Sequence, residues 1–493
     1  MMNYLKLIFT LYIFFTALFK AYSQSMDSLS LNKAIQLAQK NSLDYKIALN
    51  TAKSSHWNYQ SYKAGFLPKL SLNGTLPDYY RTINTITLPS GENSFVSQNV
   101  ANSGLSADLS QNIGLTGGRI SASSSLRRID NFGTQKNSAY TSVPFSLSYF
   151  QNNLFYNDYK WQKLIEPLRL QEAQRAYLEN LEAISYNTIE KYFELLSADI
   201  QQKLDDQNLR NIDTLVKITQ SRFEIGTVLL NEVLQSKVSL LNAKKAAANS
   251  LLRLETAKQN LVRFLNLKKD DKTALELPDK VSSFEIDPDV ALEKAKTNRK
   301  FIIEIQRRRL EAERAVARTR SETGPSVTLR ANIGVTQRGS ELQYAYENLL
   351  RNQSVTIGFS IPLVDWGVNK SNRKKAEANL ELENNNISQL ELSAEQEIYY
   401  QVLKWKMQNE QIAIALETRK LAEQRYDIAK QKYALGSISF TDFNNAQLDK
   451  DRAVTDHINN LKNYWSLYYL MRRLTLYDFE KNKNIEFSDL DFN

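Results

Sequence analysis

The chain has 493 residues, 63 lysines and arginines against 54 aspartates and glutamates, and no cysteine. That excludes disulfides, thiolate metal sites and a catalytic thiol, and argues against a lipid anchor on an N-terminal cysteine. A net charge of +9 is mild for this length and no basic block stands out, so the surface reads as solvated rather than built for nucleic acid.

The chain opens with its one continuously apolar run, Leu7 to Phe19, preceded by Lys6 and followed by Ala21-Tyr22-Ser23. The run is short of the roughly 20 residues a spanning helix needs. It reads as a secretory signal peptide ending at Ser23. Removing residues 1–23 takes away Lys6 and Lys20 and leaves a charge of +7.

Two copies of one unit follow. "AIQLAQKN" at 34–41 matches "ALEKAKTN" at 291–298, and Pro68 before a strand matches Pro325 before a strand, both offset by 257 residues. Further on, "RFEIGTVLLNEV" at 222–233 matches "KYALGSISFTDF" at 432–443, offset by 210. The first copy is therefore 47 residues longer, with most of the excess before Ser148. The expected boundaries are 24–281 and 282–480, with a charged link at 268–288 and a polar tail at 481–493.

Each copy reads as helix, strands, very long helix, tight turn, long helix. The strand segments, 69–150 and 326–363, alternate strictly. In "PSVTLRANIGVTQ", Val327, Leu329, Ala331, Ile333 and Val335 share one face, and Thr328, Arg330, Asn332 and Thr336 share the other. The run at 104–115, the turn Thr116-Gly117-Gly118 and the weaker run at 119–128 make an additional hairpin possible. The chain thus offers four to six strands.

The helical segments, 167–267 and 370–476, contain helices of roughly 85–100 Å at 1.5 Å per residue. The first is expected to start at Pro167, a favoured first-turn proline. Leu209, Ile212, Val216, Thr219 and Phe223 step by three and four, as do Leu234, Val238, Leu241, Lys245, Ala248 and Leu252. Such spacing means coiled-coil packing. Gly226 and Gly436 centre the reversals.

Four to six strands are too few for a sandwich, and too few for one chain to close a barrel in lipid. Several identical chains can close one by cyclic assembly. The fold class is then an α+β membrane protein: a transmembrane β-barrel shared between chains and continued by antiparallel coiled coils, with an internal duplication. Phe155, Tyr156, Tyr159 and Trp161 after one strand, Trp366 after another, and Tyr344 and Tyr346 in the opposite loop read as interfacial aromatics.

The duplicated order of "ALxxAxxxN", proline and strand, loop, strand, long helix, "YxxGxxxxxD" and long helix resembles the TolC-like outer-membrane efflux proteins. The resemblance covers nearly all of the mature chain. It implies a homotrimer in the outer membrane of a Gram-negative bacterium, extending into the periplasm. It also implies a periplasmic adaptor (membrane fusion) protein and an inner-membrane pump of the resistance-nodulation-division or ABC type as partners, and outer-membrane lipid around the barrel. Conduction would be passive, within tripartite efflux or type I secretion, without cofactor.

By the same resemblance, Gly226, Thr227, Val228, Gly436, Ser437 and Ile438 are adaptor-contact tips. Asp442 matches an acidic position at the periplasmic aperture, and Asn445 departs from a second one. Glu232 stands at the place of Asp442 in the first copy. Taken by itself, Asp442 is equally a first-turn acid stabilised by the helix dipole. His56 and His457 lack matched ligands nearby, and neither a phosphate loop nor a serine elbow is present, so no enzyme is expected. The alternative is a soluble periplasmic coiled-coil adaptor or scaffold, which leaves the strands and aromatics unexplained.

Overall fold

The computed structural model describes residues 29–133, 136–268 and 274–486. The expected signal peptide and the end of the polar tail lie outside them. Among the described residues no helix is long and apolar enough to cross a membrane. The chain divides into two units.

One unit takes in Lys53–Ala173 and Phe301–Glu391. It holds a single antiparallel sheet of six strands in sequence order: β1 (Lys69–Thr87), β2 (Asn93–Asn112), β3 (Arg119–Asn131), β4 (Asn137–Gln151), β5 (Ser326–Gly339) and β6 (Leu350–Ser360). The possible hairpin is real. β2 and β3 pair from Val100↔Asn131 to Asn112↔Arg119 and lie between β1 and β4. The outer edges of β1 and β6 have no neighbour within the chain.

The last strand stops at Ser360, short of the expected 363. Pro362 offers no N–H to a ladder, so Ile361 and Leu363 drop out of the alternation. In the same unit an arginine-rich helix, Lys300–Glu322, ties its neighbours by ion pairs. Arg314 grips Asp158 with two hydrogen bonds of 2.9 and 2.8 Å. Arg307 reaches Glu172 at 2.6 Å, and Arg308 reaches Glu383 at 2.9 Å.

The helices, in chain order, are α1 (Leu31–Asn41), α2 (Leu43–Ala64), α3 (Asp158–Glu224), α4 (Leu230–Phe264), α5 (Pro288–Asn298), α6 (Lys300–Glu322), α7 (Val368–Ala434) and α8 (Phe440–Thr475). The helical stretches before β1 and before β5 are each broken once, at Ser42 and at Arg299. The start expected at Pro167 is corrected: α3 begins at Asp158, and Pro167 lies inside it. The reason is a stronger signal upstream. The Asn157 side chain accepts from the N–H groups of Tyr159 and Lys160, at 3.0 and 3.4 Å, and so caps the helix.

The other unit takes in the described residues up to Ala52, then Gln174–Lys300, then those from Leu392 onward. Its core gathers Ile189, Tyr192, Phe193, Leu261, Ile398 and Trp405, among others. The expected link at 268–288 is, over its described part, strapped to this core. Tyr192 Oη donates to the Leu29 and Glu276 carbonyls, Trp405 Nε1 to Phe284 and Tyr464 Oη to Ser282. Burying these polar tips requires partners, and the strap's carbonyls supply them. The polar tail is likewise anchored at its start, where Ile485 N–H donates to the Leu476 carbonyl.

Arg472 organises the end of α8. It forks onto Glu182 at 2.9 and 2.8 Å and reaches Asp478 at 2.6 Å. Both carboxylates are buried.

Candidate functional site

The two helix reversals are built alike. Gly226 and Gly436 take φ of 76° and 78°, in the left-handed region that suits glycine. Thr227 N–H bonds the Arg222 carbonyl and Ser437 N–H the Lys432 carbonyl, each at 2.9 Å, the five-residue bond of a Schellman cap. Val228 and Ile438 are half-buried, Ile438 packing on Tyr433, Phe440 and neighbours. The other four residues expected at the tips are exposed.

After the turn the copies differ. Ser439 caps α8 in a reciprocal box: its hydroxyl accepts from Asp442 N–H at 3.1 Å, and Asp442 Oδ2 accepts from Ser439 N–H at 3.2 Å. The Ser439 hydroxyl and N–H together hold the Asp442 carboxyl below its ordinary range. In the isolated chain Asp442 therefore acts as a helix-start acid. Asn445 is exposed near it, and Glu232 is half-buried in the first turn of α4. In place of Ser439, α4 has Leu229, which makes no side-chain cap and is exposed.

Sequence periodicity missed which stripe of each helix is left open. On α4, Ser236, Ala243, Ser250 and Ala257 repeat every seven residues and are buried. The expected seam, Leu234, Val238, Leu241 and Leu252, is exposed instead. On α7 and at the residue just after it, Met407, Ile414, Leu421, Ile428 and Leu435 also repeat every seven residues and are 52–81% exposed. Both helices thus carry one seam used within the chain and one unused. Exposed Ile225, Leu229 and Leu435 extend the apolar surface to the turns.

The sheet has two faces, and register carries them across strands. Ile333, Leu147, Ala122, Leu109 and Leu70 are successive partners on the apolar face. Asn332, Ser148, Ser121, Ser110 and Lys69 form the next row, on the polar face. Thr328, Arg330, Asn332 and Thr336 all fall on this polar face. Asn332 Oδ1 accepts from Ser146 at 2.6 Å, and Arg330 lies over the Phe150 ring. Of the aromatics, Phe155 and Trp366 are exposed, Trp366 at 96%. Tyr156 donates to Asp158 at 2.8 Å, and Trp161 is half-buried in the first turn of α3.

His56 meets Gln60 at 3.3 Å. His457 is 4% exposed, its Nδ1 has no hydrogen-bond partner, and burial pushes its pKa below the ordinary 6.5. Among the described residues, no group of three or more His, Asp and Glu could hold a metal ion.

Residues 291–465 match the family model described as outer membrane efflux protein. The toxin and drug export protein A of Aggregatibacter actinomycetemcomitans is 24% identical over 236 residues, 46% of this chain and 50% of that protein. The match thus spans about half the length of this curated relative. The CmeC outer membrane channel of Campylobacter jejuni superposes with a TM-score of 0.66 at 19% identity, covering 92% of this chain and 86% of that one. The outer membrane protein VceC of Vibrio cholerae gives 0.65 at 16%, covering 92% and 97%. The fold is that of the TolC-like channels.

Proposed function

We propose, from a chain whose residues 291–465 form an outer membrane efflux protein domain and whose fold is that of the TolC-like channels, that three copies make an export duct. The duct would sit in the outer membrane of a Gram-negative bacterium, reach into the periplasm and conduct passively, driven by an inner-membrane pump through a periplasmic adaptor. The observation that carries this reading is that the chain is unfinished in two places that copies of itself would finish. The unused seams of α4 and α7 are coiled-coil faces without a partner. The open edges of β1 and β6 are strand edges without a partner, which cannot stand in lipid.

Three copies of a six-stranded sheet close eighteen strands. The apolar face, Ile333 and Leu147 included, would meet lipid, with Thr328, Arg330, Asn332 and Thr336 toward the lumen. Phe155, Tyr156, Trp161 and Trp366 would lie at the membrane interface. The like-built turns, with Gly226–Val228, Gly436–Ile438 and the exposed Ile225, Leu229 and Leu435, suit an apolar adaptor contact. Asp442, Asn445 and Glu232 would stand near the aperture, where the capping of Asp442 limits its freedom to face the axis. The matched turns and helix breaks support the two-repeat organisation, 24–281 and 282–480.

The test is purification from outer membranes in detergent, mass determination, electron cryomicroscopy and planar-bilayer recording. A trimer that gives conductance steps is expected. A monomer that washes off membranes without detergent would establish the adaptor or scaffold alternative instead.

A further inference from the structure

The polar face of the sheet carries charge in a pattern the function does not require. Arg119 on β3 and Arg330 on β5 occupy one cross-strand row, on either side of Phe150 of β4. Arg127 and Arg338 occupy a second row, on either side of Thr141. Strands lie about 4.8 Å apart, so each arginine pair is held at roughly 10 Å. Like charges at that distance repel, and none of the four is held in an ion pair among the described residues. Arg119 donates to the neutral Asn112 amide oxygen at 3.0 Å, and Arg330 lies over the Phe150 ring. Among the described residues no carboxylate pairs with any of the four.

The opposite face behaves differently. There Arg128 is neutralised by Asp130 at 2.9 Å, while Arg81 and Arg351, near the loop ends of β1 and β6, share no row with each other. The polar face also bears Lys69, and its carboxylates are Asp78 and Asp108. Asp108 is occupied by Asn73 and Ser106, at 2.9 and 3.0 Å. The balance is +3 per chain. Between the arginine rows the face is lined mainly by small serines, including Ser121, Ser123, Ser146 and Ser148.

The rows are eight residues apart on both β3 and β5, about 26 Å at 3.3 Å per residue. At the strand tilt of about 35–45° usual in such barrels, that is roughly 20 Å along the barrel axis, most of the height of an apolar band about 25 Å tall. Resting on the reading that three copies close the sheet with its polar face inward, we infer that two arginine belts bound the bore and make the barrel select anions. Cationic rings in a low-dielectric wall focus the field and raise the local concentration of negative solutes. The cargo class this favours is anionic: carboxylates, phosphate esters or acidic polypeptide.

Two measurements on the trimer in planar bilayers test this. The first is the reversal potential in a potassium chloride gradient. The second is block by polyglutamate added from the side of the strand loops. Wild type is expected to pass chloride in preference to potassium and to be blocked by polyglutamate but not by polylysine. The combined R119Q, R127Q, R330Q and R338Q variant should lose most of the chloride preference and need at least about tenfold more polyglutamate. The same four positions changed to lysine keep the charge and should keep both properties, which separates charge from folding. Conductance steps with a potassium preference, or polyglutamate block equal in wild type and the glutamine variant, would overturn the inference and leave the duct standing. A monomer without conductance steps would overturn both.

Discussion

Leu229 and Ser439 stand at matching places after the two turns, and they are used differently. Ser439 closes a capping box, whereas Leu229 leaves its helix start uncapped. A missing serine cap costs about 1 kcal/mol, so the leucine holds its place against local stability. Leu229→Ser should stabilise the first turn by up to that amount while weakening adaptor capture, read by thermal unfolding and by adaptor titration against wild type. Equal adaptor affinity in the two proteins would remove Leu229 from the contact. His457 makes a prediction of a different kind. Burial lowers its pKa, with Arg419 adding to the effect and Asp279 and Glu423 opposing it. A depressed folded pKa gives stability that is present above the unfolded value of 6.5 and lost as pH falls through it toward the folded value. The melting temperature should therefore drop between pH 7 and pH 5.5, and His457→Gln should flatten that slope. Neither residue was legible as such in the sequence. For Asp442 the sequence left two readings, an aperture acid by resemblance and a first-turn acid by position, and the geometry of Ser439 ties its carboxylate to a cap. His457 read as a metal ligand or nothing, because a sequence does not show which polar atom is buried alone.

The hairpin β2–β3 is the element that distinguishes the strands before α3 from the pair β5–β6 before α7. β5 pairs directly with β6, whereas β1 and β4 are separated by two strands that pair with each other without a register break. The 47-residue excess was countable in the sequence, and the alternation of Leu105, Ala107 and Leu109 marked one strand. The second strand was obscured because the segment Ser121–Ser125 is mostly serine and carries little apolar signal. Register with β2 and β4 decides its structure, and register is a nonlocal property. The same limit applies to α3, where Pro167 outweighed Asn157 on local preference although the cap lay upstream. Barrel diameter grows roughly linearly with strand number. If three copies close the barrel as proposed, removing residues 93–131 should let β1 pair with β4 and shrink eighteen strands to twelve, a bore about two-thirds as wide. The expected result is a trimer with lower conductance and a smaller cut-off for neutral polymers entering from the strand-loop side. An unchanged cut-off would place the hairpin outside the barrel wall.

At the scale of the whole molecule, periodicity identified the helices and their coiled-coil character but could not say which neighbour each stripe meets. A heptad seam looks the same whether its partner is in the chain or in a copy of it. The distinction becomes visible only when burial is known: Ser236, Ala243, Ser250 and Ala257 are covered, while Ile414, Leu421 and Ile428 are bare. Small buried residues bring helices of one chain close together, and large exposed ones await a second surface. If that surface is another copy, charge placed on the bare seam should act on assembly and leave the chain's own core intact. Ile414→Glu with Leu421→Glu puts two carboxylates on each copy where apolar side chains would meet, and burying an unpaired charge costs several kcal/mol. The variant should lose the trimer in detergent and in membranes while keeping the helical circular dichroism of wild type. Ala243→Glu, on the covered seam, should unfold the helix pair instead and lower the helical signal. A trimer that survives both substitutions on α7 would mean that this seam faces something other than its own kind.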